Sequence, residues 1–123
     1  MTSLQFQLSW QEYYEAERFL HRHDGTFAVP FIRRLRLKQR WNRKAVLRAE
    51  HHVLASHDGI HYLLDGIESN LDWNYFQRWL ESETGFFLIY AGDVFNFIPK
   101  RAFANAAQLN EFRQLLGTNL RQR

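Results

Sequence analysis

Asp58-Gly59, Asp65-Gly66, Thr84-Gly85 and Gly92-Asp93 cut the second half of the chain into short apolar runs. The first two pairs suit two-residue hairpin turns, which need backbone at positive φ that Gly and Asp tolerate. The other two are further turn signals. Between them lie Val46 to Ala55, Ile60 to Leu64, Ile67 to Leu71, Gln77 to Glu83, Phe86 to Tyr90 and Val94 to Ile98. Short runs joined by tight turns pair with their neighbours, so an antiparallel meander is expected as one sheet between Ala45 and Pro99. Trp73 to Phe76 is expected as a helical turn between two strands.

Helices are expected at both ends. Leu4, Phe6 and Leu8 alternate with Gln5 and Gln7 as a half-buried strand. Ser9-Trp10-Gln11-Glu12 then reads as a capping box, with Leu8 and Tyr13 placed for a hydrophobic staple. The helix that follows shows Trp10, Tyr13, Ala16, Phe19 and Leu20 on one broad face, with Glu17 expected at its rim. Asp24-Gly25 is its stop signal. At the other end Asn105 is the expected N-cap and Gln108 its box partner. Leu109, Phe112 and Leu116 form the apolar stripe of that last helix, and Gly117 is expected to end it. Hydrophobic residues are 46% of the chain, including 11 Phe, enough to fill a core. Trp73, Leu88, Ile98, Phe103, Phe112 and Leu116 are expected inside it. The fold class is α+β: an antiparallel meander with N-terminal and C-terminal helices.

The net charge of +3 hides an asymmetry. Between Gly25 and Ala49 the charged residues are Arg33, Arg34, Arg36, Lys38, Arg40, Arg43, Lys44 and Arg48, with no acid among them. Such a block seeks phosphates, acidic lipids or an acidic protein face, or else it is a solvated helix face. Pro30 can open a helix there, with Phe31 and Leu35 on one face and Leu37 and Trp41 on another. Leu35 to Lys38 equally suits a strand; the segment is expected as helix. Cys is absent, which excludes disulfides and thiolate metal sites and favours a reducing compartment. The opening residues Met1 to Phe6 lack the features of a signal peptide. No apolar run approaches the roughly 18 to 20 residues that span a bilayer.

Ser56-His57-Asp58-Gly59-Ile60, Leu71-Asp72-Trp73-Asn74-Tyr75-Phe76, and Phe97-Ile98-Pro99-Lys100-Arg101-Ala102-Phe103 followed by Glu111-Phe112-Arg113 and Leu116 form a characteristic succession. It resembles the bacterial YcxB-like family, small proteins of unassigned function, over roughly Leu47 to Leu116. Members of that family usually carry two transmembrane helices between the first helix and the meander. Here that place is Asp24 to Phe31, and it holds no apolar hairpin. The resemblance then implies that Arg33 to Lys44 matches the cytoplasmic flank of a membrane hairpin. It supplies no catalytic residues. A meander followed by a terminal helix is also similar to pleckstrin-homology-like domains, a likeness of topology that implies a fold and no function.

Other constellations have simpler readings. His21, His23, His51, His52, His57 and His61 suggest metal, but a site needs three or four converging ligands, and the adjacent His51 and His52 would point to opposite faces of a strand. Glu81 and Glu83 would share a strand face with no pocket beside them, and with Asp72 they read as solvated carboxylates. Ser56, His57 and Asp58 are explained by a turn, since adjacent residues cannot align as a triad. Trp73, Tyr75, Phe76 and Trp79 could stack nucleobases, yet core packing explains them better. Lys100 and Arg101 either extend the basic surface or flank a Pro99 that ends its strand.

The expectation is therefore one domain over residues 1–123, with a strand and helix over 1–25, a basic connecting segment over 26–44, and the meander with its helix over 45–123. It needs no cofactor and no metal. Its expected function is that of a non-enzymatic binding or scaffold module in the cytoplasm at the inner face of the cell membrane. The anion-binding residues would be Arg33, Arg34, Arg36, Lys38, Arg40, Arg43 and Lys44, and the partner an acidic membrane surface or protein. Nucleic acid is the alternative partner for the same segment.

Overall fold

The computed structural model describes residues 2–21, 30–64, 66–91 and 94–120, apart from the side chains of His21, Pro30, Phe31, Ile32, Arg33, Val46 and Ala91. The chain divides into two compact units, Gln7–Ala49 and a discontinuous one formed by Met1–Phe6 with Glu50–Arg123.

The discontinuous unit is α+β. Strands β1 (Thr2–Phe6), β2 (His51–Ser56), β3 (Gly59–Leu64) and β4 (Ile67–Leu71) form one antiparallel sheet in that order. Strands β5 (Arg78–Glu81), β6 (Gly85–Ala91) and β7 (Val94–Pro99) form a second. The single expected sheet is thus two. The break is the 3-10 turn Trp73–Tyr75, capped by the Asp72 carboxylate, which accepts from the Asn74 amide at 3.0 Å. The indole of Trp73 is buried and donates to the Ser56 carbonyl at 2.9 Å, so the turn is bolted to the β2–β3 hairpin.

Turn chemistry sets the register. Ser56 pairs with Gly59, so His57 and Asp58 are the two loop residues, one position earlier than Asp58-Gly59 implied. Gly59 instead opens β3 at φ +148°, and a Cβ there would run into the Leu71 carbonyl. Gly66 sits at φ +77° between the paired Leu64 and Ile67; its neighbour Asp65, and the Gly92-Asp93 turn, lie outside the described residues. The expected strand from Val46 begins only at His51, because Ala45–Arg48 make a single helical turn, α3.

The last helix, α4 (Ala106–Asn119), joins the two sheets. Asn105 accepts from the Gln108 amide at 2.8 Å, and Gln108 accepts from the Ala104 amide at 2.7 Å, which closes the expected cap one residue further back. Phe112 is fully buried against Phe86 and Phe103, with ring centroids 5.3 and 5.4 Å away. Toward the first sheet Gln108 donates to the Ser3 carbonyl at 3.2 Å, and the buried Thr2 hydroxyl donates to Glu111 at 3.1 Å. Trp73, Leu88, Ile98, Phe103, Phe112 and Leu116 are all buried, as their patterning implies. Gly117 does not end the helix. Burial of Leu116 and a bond from the Asn119 side-chain Nδ2 to the Leu115 carbonyl carry it through Asn119, where the Leu120 amide closes on Leu116.

The other unit is helical: α1 (Trp10–His21), α2 (Pro30–Arg43) and α3. The capping box of α1 forms in both directions, Glu12 amide to Ser9 Oγ at 3.1 Å and Ser9 amide to Glu12 at 3.0 Å. Asp24-Gly25, the expected stop, lies outside the described residues. The core is Tyr13, Leu37 and Trp41, with Leu8, Trp10, Tyr14 and Leu47 packed around it. Leu37 and Trp41 are one helical turn apart, so both fall on the same face.

Candidate functional site

The basic segment is helical, and Pro30 opens it. Of the expected anion-binding residues, Arg33, Arg34, Arg36, Lys38, Arg40 and Arg43 lie on α2, and Lys44 follows it. The side chain of Arg33 lies outside the described set, as do those of Phe31 and Ile32. Helical period then sorts the rest.

Arg34 and Lys38 flank the buried Leu37–Trp41 stripe on one side. The Arg34 guanidinium lies over the rings of Tyr14 and Trp10, at 4.9 and 5.6 Å from their centroids. The Lys38 ammonium lies 4.6 Å from the Trp10 centroid. Such cations are held by the negative faces of the rings. On the other side Arg40 reaches Glu17 and the Tyr13 hydroxyl, each at 3.4 Å. Glu17 is only 6% exposed, so it is a buried carboxylate on α1 and not the rim residue its sequence position implied. The tertiary arginine makes that burial tolerable, a long-range partner that α1 periodicity could not reveal. Burial raises the Tyr13 hydroxyl above its ordinary value, Glu17 pushes the same way, and Arg40 opposes them.

Arg36, Arg43 and Lys44 are different. They are exposed, as Arg34, Lys38 and Arg40 also are, but among the described residues no carboxylate or aromatic ring pairs with them. Arg36 and Arg43 are seven residues apart, so they fall on one face, two turns or about 10 Å along the axis. Gln39 lies between them, and the half-exposed Leu35 beside them. Arg48 turns back to the Asn42 carbonyl at 3.4 Å.

The remaining candidates fall elsewhere. Glu81 is no solvated carboxylate. Arg113 holds it through two bonds of 2.9 and 2.8 Å, and Lys100 through one of 2.8 Å. Arg113 and then Lys100 bring the Glu81 carboxyl down to about 2, against partial burial. Lys100 is thereby committed to a carboxylate, and both cations also lie near the Phe86 ring. Glu83 is exposed in the turn beyond β5. Asp72 is the cap already described. Ser56 and Asp58 bond to each other within their turn, Asp58 amide to Ser56 Oγ at 3.3 Å, and form no triad. Trp73, Phe76 and Trp79 are buried, leaving Tyr75 the exposed ring of that group.

The histidines spread out. His51 and His52 point to opposite faces of β2, as alternation requires. His51 stacks on Phe6 with centroids 4.8 Å apart; burial, helped by His52, lowers it to about 4. His61 meets Asn70 at 2.5 Å across β3 and β4. His23 and the His21 side chain lie outside the described set. Among the described residues no three His, Asp or Glu converge as metal ligands, and no helix is long and apolar enough to cross a membrane.

Comparison with known proteins agrees with the succession of motifs from Ser56 to Leu116. The search of curated proteins returns no match, and neither does the search of solved structures. Residues 56–116, from the end of β2 through most of α4, match the family model described as YcxB-like protein. The chain thus carries a YcxB-like family domain over residues 56–116, and the function of that family is uncharacterised.

Proposed function

We propose that the chain is a non-enzymatic module that binds an anionic membrane surface from the cytoplasmic side through α2. One observation carries this reading: Arg36, Arg43 and Lys44 stand exposed beside the half-exposed Leu35, in a segment from Gly25 to Ala49 that contains no acid. Cations near an anionic leaflet each contribute on the order of 1 kcal/mol, fading within a Debye length. An adjacent apolar side chain adds interfacial burial. The order of a four-stranded sheet, a three-stranded sheet and a terminal helix supports a pleckstrin-homology-like frame, with the helical unit inserted in sequence between β1 and β2.

A competition experiment tests the choice of partner. Vesicles rich in anionic lipid and short single-stranded or duplex DNA are titrated against the intact chain over a salt series. Vesicle binding should dominate, with DNA binding weak and indifferent to sequence, because of Trp73, Tyr75, Phe76 and Trp79 only Tyr75 is exposed. Sequence-selective DNA binding that survives near-physiological salt, beside negligible vesicle binding, would replace this reading.

A further inference from the structure

We infer that α2 divides its cations between two tasks, and that Arg36, Arg43 and Lys44, with Leu35, form the surface that meets the anionic lipid. Arg34, Lys38 and Arg40 hold the helical unit together instead. The inference rests on the membrane reading above and sharpens it to named residues. Arg34 and Lys38 lie over Trp10 and Tyr14, where their charge faces aromatic rings. Arg40 offsets the buried Glu17. A bilayer that drew these three away would strip a partner from a buried carboxylate and uncover two aromatic faces. Among the described residues Arg36, Arg43 and Lys44 have no salt bridge or aromatic ring to give up on meeting lipid phosphates. Their attraction is therefore available in full. Arg36 and Arg43 share the exposed side of α2 with Gln39, Lys44 follows at the end of the helix, and Leu35 is 50% exposed, an apolar group placed to enter the interface with the charges.

Two variants that remove the same charge separate this from attraction to bulk charge. One replaces Arg36, Arg43 and Lys44 with Gln; the other replaces Arg34, Lys38 and Arg40 with Gln. Binding to anionic vesicles is measured at low salt, with thermal unfolding in parallel. The first variant should lose on the order of 100-fold in affinity at an unchanged unfolding midpoint. The second should unfold at lower temperature and, below its midpoint, lose less than about 10-fold. Equal losses in two folded variants would overturn the division of labour. If the second variant does not fold, a label decides. The chain has no cysteine, so single cysteines at Gln39 and at the exposed Glu15 of α1, in the same unit, can each carry a spin label. On anionic vesicles the label at position 39 should become shielded from aqueous relaxants while that at 15 stays accessible. A label at 39 that stays accessible on bound protein contradicts the assignment. Failure of the unmodified chain to bind vesicles at all counts against the membrane reading itself.

Discussion

Glu17 and Glu81 are both drawn from solvent by arginines distant in sequence, and His51 is drawn inward with no cation or anion to meet it. The two kinds of burial respond to pH in separate windows. Glu81 titrates near 2 in the folded chain and near 4.5 when free. Its folded value is depressed, so its contribution is complete above 4.5 and is lost as pH falls toward 2. Glu81→Gln should cost about 1.5–3 kcal/mol at neutral pH and flatten the stability profile in that range, read by urea unfolding at a series of pH values. His51 titrates near 4 against 6.5 when free, so the unfolded chain binds the extra proton first. The contribution of His51 should therefore decline from pH 6.5 to 4 and level off below that, with burial first and His52 second opposing charge there. In His51→Phe this slope should vanish while the Glu81 window remains. None of these partnerships is visible in the sequence. A buried ion pair is made by tertiary contact, and local periodicity gives Glu17 and Glu81 the same weight as solvated carboxylates. Local chemistry, by contrast, was legible down to the atom: the Ser9–Glu12 box and the Asn105 cap form where their residue types place them.

At the scale of elements, legibility follows range. The strands, α1 and α4 were readable from period and turn residues, whereas the period over Leu35 to Lys38 suited strand as well as helix, and Pro30 opens a helix there as its fixed φ favours. The split into two sheets was not, because it depends on where Trp73 lands, and that landing on Ser56 is a contact between elements. Gly117 does not end its helix for a related reason. Glycine permits a left-handed cap without requiring one, and the contacts around Leu116 and Asn119 extend α4 past it. Its position is exposed, helical and open for a Cβ, with no atom within 4 Å. Gly117→Ala should accordingly raise stability by about 0.5–1 kcal/mol, measured as a higher urea midpoint. A lower midpoint would mean that the helix ends at Gly117 in solution. The same helix closes the aromatic core through Phe112, and Phe112→Ala should cost about 3–5 kcal/mol. An unchanged midpoint there would make α4 a peripheral element.

For the whole molecule, the YcxB-like domain was legible as a succession of turn and aromatic motifs from Ser56 to Leu116. The charge asymmetry was legible too, since it needs only composition. What composition could not do was rank the cations. Arg34, Lys38 and Arg40 look the same as Arg36, Arg43 and Lys44 in the sequence, and only the packing of Trp10, Tyr14 and Glu17 tells them apart. The most direct measurement is co-sedimentation of the intact chain with vesicles of anionic lipid and with vesicles of zwitterionic lipid, each over a salt series. Binding to the anionic vesicles alone, weakening steeply as salt rises, is the predicted result. Equal binding to both, or none to either at low salt, would contradict it.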